Sequence, residues 1–182
     1  MAFSTTSDWP IGGRIGADIT KTYLSASAGI VVPWPAAPGD HLLTNNGGEY
    51  IFGRAESEIS AGMVLIGSQF GDSATANAPI HFTPITTTMV TTTVGPNMIA
   101  VSQVNCPSAN WGWFALNGTN LEVWAVAQPK LPLFTSSTAG QLSSTTVSSC
   151  LVSGIVINTS ATSASFPYAF VRNPHIQWGN PV

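Results

Sequence analysis

The sequence predicts an all-β protein, an antiparallel β-barrel or sandwich with an extended N-terminal arm. Three observations support this prediction. No long stretch repeats apolar residues at the spacing of an amphipathic helix. Short β-branched and aromatic runs are found along most of the chain. Gly, Pro, Asn or Ser interrupt these runs about every 8–12 residues, which is typical of antiparallel barrels and sandwiches.

The first predicted element is the arm, residues 1–28. It is polar and rich in glycine, and alone it would bury too little apolar surface to offset its loss of conformational entropy. It nevertheless contains large apolar side chains. We therefore expect the arm to become ordered by docking on a neighbouring subunit, or alternatively to be a mobile terminus or an edge strand of its own domain. The candidate contact residues of the arm are Trp9, Ile11, Ile15 and Tyr23.

Residues 29–182 are predicted to form the β-rich domain, and two small subdomains divided near 72–83 are an open alternative. A short strand is expected at 29–35. Asn45-Asn46-Gly47-Gly48 predicts a hairpin that leads into a strand at 49–55, because such residues accept the backbone angles of tight turns. In that strand Tyr50 and Phe52 should share one face. The next strand is expected at 63–67.

The second half of the chain predicts further strands. Residues 84–104 favour two strands around Gly95-Pro96-Asn97. The runs 111–116 and 121–127 predict a hairpin, since Asn117-Gly118 accepts the positive φ angles of a two-residue turn. A low-complexity link follows at 136–146. The last strands are expected at 150–158 and 168–172.

Six tryptophans are distributed along the chain, and they allow two interpretations. Trp111 and Trp113 should project from the same face of one strand. With Trp124 they are expected to support the core or an oligomer interface, where large aromatic side chains contribute most. The alternative is a platform that stacks on sugar rings, as in a carbohydrate-binding module or a tail adhesin.

Charged residues are scarce. The chain has five Lys plus Arg and eight Asp plus Glu among 182 residues, or 7%, whereas soluble domains average about 25%. Its surface must therefore be neutral and rich in hydroxyls, or largely covered by other protein. Because charge is depleted in the cores of interfaces, this composition predicts a component of an assembly.

The same composition argues against several partners. The net charge is −3 and the few cations are scattered, so no basic surface is expected to attract nucleic acid or anionic lipid. No apolar run approaches the roughly 20 residues that span a bilayer. The N-terminal residues lack the basic and apolar segments of a signal peptide. We expect neither a nucleic-acid nor a membrane partner, and synthesis in the cytoplasm.

The sequence also predicts no catalytic, cofactor or metal site. It contains no GxSxG motif and no phosphate-binding glycine loop between a strand and a helix. Glu56 and Glu58 are two residues apart, but in a turn they are expected to be surface charges. Cys106 and Cys150 are too few for a zinc motif, and both are expected to be free thiols.

Three segments resemble small structural proteins of tailed bacteriophages: GGEYIFGRAESEISAGMVLIG at 47–67, WGWFALNGTNLEVWAVAQPKLPLFTSSTAGQLSSTT at 111–146 and LVSGIVIN at 151–158. The order of the segments is what is similar to capsid decoration (cement) proteins and related minor head proteins. The resemblance implies a non-enzymatic all-β subunit on the outer capsid surface of the virion, made in the host cytoplasm. It implies the major capsid protein as partner, and self-association in which a homotrimer is favoured and a dimer is the alternative.

Overall fold

The computed structural model describes residues 10–11, 18–24, 35–45, 47–69, 80–87, 98–145 and 150–177. The elements bounded within these ranges are all strands, which confirms the all-β prediction. In chain order the strands are β1 Pro10–Ile11, β2 His41–Thr44, β3 Glu49–Ala55, β4 Val64–Gln69, β5 Ile80–Pro84, β6 Met98–Ser102, β7 Trp111–Glu122, β8 Ala125–Ala127, β9 Leu133–Thr135, β10 Leu142–Ser143, β11 Leu151–Ile157, β12 Ala161–Ser165 and β13 Tyr168–Gln177.

Within the described ranges, no helix has both the length and the apolar character needed to cross a membrane.

Five strands close into a small barrel in the order β3–β5–β4–β6–β7, and β7 pairs again with β3. The β3–β5 pair is parallel and the other four pairs are antiparallel. Phe82 lies in the barrel interior against Phe114, with ring centroids 4.6 Å apart. A Cβ on Gly53 or Gly67 would lie 2.5 or 2.6 Å from ring carbons of Phe82. Glycine at these two positions therefore makes room for the ring that fills the barrel.

The remaining strands continue from β7 as a second sheet in the order β13–β11–β9–β10–β8–β12. Its pairs are antiparallel except for β8 with β10. The inner face of this sheet packs on the outside of the barrel, and the two layers share one large core. Phe52 and Trp113 contribute to this core from the barrel, and Val152, Ile155 and Val171 contribute from the second sheet.

Strand β7 belongs to both layers. Its first half pairs with β3 and β6, and its second half pairs with β13. The predicted hairpin at Asn117-Gly118 is therefore wrong, because the chain continues as a strand to Glu122. The amide group of Asn117 bonds to two other strands, and the positive φ angle falls on Asn120 (58°) instead. Tertiary partners thus override the local turn preference.

The hairpin predicted at Asn45–Gly48 is confirmed. Strands β2 and β3 pair antiparallel, the Thr44 amide donates to the Gly48 carbonyl at 2.8 Å, and Gly47 has a φ of 75°. The predicted alternation in β3 is also confirmed. Tyr50 and Phe52 face the large shared core, and Ile51 faces the barrel interior.

Other segments differ from the prediction or lie outside the described residues. The low-complexity link at 136–146 contains β10, whose Ser143 is buried. Residues 88–97, around the predicted turn at 95–97, are outside the described ranges, as is the expected strand at 29–34. The predicted division near 72–83 includes undescribed residues, but β4, which precedes it, pairs with β5, which begins within it at Ile80.

Candidate interaction surface

The outer side of the second sheet carries apolar side chains at regular positions. Along β13, Ala169 and Val171 are buried, and Tyr168, Phe170 and Arg172 alternate with them on the exposed side. Tyr168 is 49% exposed and Phe170 is 39% exposed. The small aliphatic residues Ala169 and Val171 therefore face inward, and the two large rings of this strand face outward.

Neighbouring strands extend this surface. Val156 of β11, 42% exposed, is directly opposite Phe170, and Glu122 of β7 is directly opposite Tyr168. Directly opposed residues of an antiparallel pair project from the same side of the sheet. These side chains therefore form one contiguous patch, which we call the β13 face and define as Glu122, Val156, Tyr168, Phe170 and Arg172.

The two charges of the β13 face lie at opposite ends of it. Tyr168, which faces Glu122, and Arg172 are four residues apart on β13, or about 13 Å along the strand. Among the residues that the structure describes, neither Glu122 nor Arg172 has an oppositely charged side chain within salt-bridge distance. A groove of about 280 Å³ lies next to Phe170 and Arg172, with Gly118 and Thr119 on its other side.

A polar network joins four strands beside this face. The Asn117 amide nitrogen donates to Glu49 Oε2, and the Asn117 amide oxygen accepts a hydrogen bond from the Asn173 backbone at 2.7 Å. His41 Nδ1 lies 2.7 Å from Glu49 Oε1. The network therefore connects β2, β3, β7 and β13 through side chains, in addition to the backbone ladders.

A second groove, of about 530 Å³, is lined mainly by hydroxyl and amide side chains. Ser136 and Ser143 are buried members of its lining, and Thr138 and Gln141 are others. None of the lining residues carries a charge. This groove therefore matches the neutral, hydroxyl-rich surface that the composition predicts.

One charged cluster lies at the end of β3. Glu56 contacts His81 Nδ1, and Arg54 lies 3.3 Å from the same carboxylate oxygen. Glu56 and Glu58 are both exposed, as expected for surface charges. Pairs as exposed as Arg54 and Glu56 contribute little to stability. Within the described ranges, no group of three or more His, Cys, Asp or Glu residues could hold a metal ion.

The predicted tryptophan residues lie in two environments. Trp111 and Trp113 are buried, and Trp113 has no exposed surface. Both rings pack on Phe52, with centroids 5.7 and 5.1 Å from it. Trp124 is half-buried and stacks on Phe166 with an interplanar angle of 26°. In this chain, Trp111 and Trp113 therefore fill the core between the two layers.

The described part of the predicted arm lies on the chain's own domain. Ile11 of β1 pairs with Leu43 of β2. Tyr23 exchanges two backbone hydrogen bonds with Trp111, of 2.8 and 2.7 Å, and its ring meets Phe52 edge-on at 5.8 Å. Burial raises the pKa of the Tyr23 hydroxyl. Trp9 and Ile15 lie outside the described residues.

The β13 face is not among the surfaces predicted from the sequence. The segment Tyr168-Ala169-Phe170-Val171 is apolar at every position, so its pattern does not show which side is covered by the second layer. The large aromatic residues at alternate positions were the available signal.

Cys106 and Cys150 are free thiols, as expected. Burial raises the pKa of Cys106 to about 12, and it also raises the pKa of Cys150.

Comparisons with protein-family models, with curated proteins and with solved structures find no match to this chain.

Proposed function

We propose that this protein is a virion structural protein that decorates and cements an icosahedral capsid by bridging neighbouring coat subunits. Its partners are then the major capsid protein and further copies of itself, on the outer capsid surface. Its role is mechanical and not enzymatic. The sequence resemblance of 47–67, 111–146 and 151–158 to phage decoration proteins provides the family context for this proposal.

The observation that carries the proposal is the β13 face in a chain with so little charge. Tyr168, Phe170 and Val156 are exposed side by side on a regular sheet. Contiguous exposed apolar patches mark sites of protein interaction, and aromatic residues with arginine are enriched in interface cores. A chain with 7% charged residues is also suited to having much of its surface covered by protein.

The fold supports a bridging role because its two layers are joined through a shared strand and a shared core. The barrel and the second sheet share β7 and one core, so a contact on one layer is held at a fixed distance from a contact on the other. Many weak contacts repeated over a capsid lattice gain avidity. Since the exposed surface has few charges, such contacts should change little with salt.

The positions of Trp111 and Trp113 do not support the alternative of a sugar-binding module that would stack on their rings. Both indole rings are buried between the layers, so neither offers a face to a pyranose ring.

The test is reconstitution of virus heads. Heads produced without this protein are mixed with the recombinant chain and sedimented, and the bound chain is counted against the coat protein. We expect a fixed, saturable ratio at low and high salt, and immunogold labelling of the head exterior. Heads that bind no chain, or virions that lack it, would refute the proposed function.

A matched variant tests the arm. A chain without residues 1–9 loses Trp9 but keeps β1 and the Tyr23 contacts, so its domain should stay folded. If the arm binds a neighbouring subunit, this variant should bind heads more weakly than the full chain. Equal occupancy would remove the arm from the proposal and leave the β domain as the binding element.

A further inference from the structure

We propose that the β13 face binds the same face of a second copy, which forms a twofold dimer with Phe170 at its centre. This inference rests on the proposed function, which requires copies of the chain to associate. It adds to that function by identifying the surface through which they associate. A twofold contact uses the same patch on both partners, so the patch must be complementary to itself.

The apolar part of the face satisfies this requirement. Phe170 and Val156 are directly opposed on adjacent strands, and Tyr168 follows on the same side. Ten residues of β13 span about 33 Å, and the four neighbouring strands β7, β13, β11 and β9 span about 15–20 Å. This side of the sheet, of which the β13 face is part, therefore covers roughly 500–650 Å², somewhat less than the roughly 800 Å² per partner that specific interfaces bury.

The charges select one orientation. If the twofold axis ran along β13, Arg172 would meet Arg172 of the partner and the like charges would repel. If the axis runs across the strands near Phe170, Arg172 lies over the partner's Tyr168 and beside the partner's Glu122, because Glu122 is directly opposite Tyr168. This arrangement forms two symmetry-related Arg–Glu pairs from charges that have no ion-pair partner among the described residues of one chain.

The groove next to Arg172 fits the same orientation. Its lining includes Thr119 of β7 and Phe170 and Arg172 of β13. In the crosswise arrangement the partner's Tyr168 ring lies over the Arg172 guanidinium at this groove. Arginine over an aromatic face is a favourable contact, and it would cover both exposed tyrosine rings.

The first test measures the dissociation constant of the dimer by sedimentation velocity over a range of concentrations. The Phe170→Asp variant should raise this constant by roughly 30-fold or more, as expected for a residue at the centre of an interface. Leu131→Asp is the matched control, since Leu131 is an apolar residue of similar exposure (44%) in the turn between β8 and β9, outside both the arm and the β13 face. It should leave the dissociation constant unchanged.

The second test exchanges the charges and does not depend on a central apolar residue. Arg172→Glu and Glu122→Arg should each weaken the dimer about tenfold, because each places like charges opposite one another. The double variant should restore the dissociation constant to within about twofold of the unmodified chain. Circular dichroism confirms in each case that the variant is folded.

A monomer at all concentrations, a trimer, or a dimer that Phe170→Asp leaves intact would each overturn this inference. A double charge variant that stays as weak as the single variants would also contradict the crosswise orientation. These outcomes are separate from the proposed function. A monomeric chain that still saturates virus heads would overturn the dimer alone, and a stable dimer that binds no heads would overturn the decoration role alone.

Discussion

Ala109 has an unusual backbone conformation for its residue type. Its φ is 65°, a value that costs an L-residue with a Cβ about 1–2 kcal/mol. The position is fixed by two contacts: the Ala109 amide donates to the Ala55 carbonyl at 2.7 Å, and the Ala109 carbonyl accepts from Arg54 Nε at 3.5 Å. The left-handed turn therefore connects β3 to the loop before β7.

We expect Ala109→Gly to raise the free energy of unfolding by up to about 1 kcal/mol. Glycine relieves the strain of the positive φ, and the higher entropy of its unfolded state offsets part of this gain. Urea denaturation measures the change. Ala37→Gly is the control, because Ala37 begins a turn but does not have a positive φ, so the same exchange should destabilise the protein. Equal losses at both positions would contradict the prediction.

At the level of single residues, much of the core pattern could be predicted. The alternation of Tyr50, Ile51 and Phe52 assigned each side chain to the correct face. The β13 face was signalled only by the alternation of large aromatic with small aliphatic residues, because Phe170 and Val171 are both apolar and the packed second layer decides which of them is buried. The polar partners of Asn117 come from β3 and β13, which are distant in sequence, so the local Asn-Gly pattern predicted a turn that does not form.

Strand β7 is held at its midpoint by the Asn117 amide. Asn117→Ala removes the donor to Glu49 and the acceptor for the Asn173 backbone, each of which contributes about 1 kcal/mol. We expect a loss of about 1–3 kcal/mol in the free energy of unfolding, measured by thermal and urea denaturation.

The variant Asn117→Asp separates the two contacts. An aspartate still accepts from the Asn173 backbone, but it cannot donate to Glu49 and it adds a like charge beside that carboxylate. It should therefore be destabilised at neutral pH and recover part of its stability when acid protonates either carboxyl group. A loss that does not change with pH would show that the Glu49 contact contributes nothing.

At the scale of the whole molecule, the β content and the approximate strand spacing followed from the sequence, but the closure of the barrel did not. Closure depends on the parallel pairing of β3 with β5 and on the return of β7 to β3. Both join segments that are far apart along the chain and leave no local signal. The second sheet likewise includes β10, in a link whose Ser and Thr residues gave no strand pattern.

Cys106 allows the unfolding of the whole barrel to be measured. It is fully buried in the barrel core, and burial raises its pKa to about 12. The thiolate is the reactive form, so at pH 8 the native thiol should not react with a disulfide reagent until the barrel opens. In a Cys150→Ser variant, the labelling rate of Cys106 should rise with urea in parallel with global unfolding. Rapid labelling without denaturant would show that the barrel opens locally.

Strand β7 also determines how the molecule responds to force. Its first half is bonded to β3 and its second half to β13, and in both antiparallel ladders the hydrogen bonds run perpendicular to the strand. A pull that separates the barrel from the second sheet along β7 would strain all bonds of a ladder together, so they would have to break at once and not one after another. We therefore expect the domain to resist tension that is applied along β7 between its two layers.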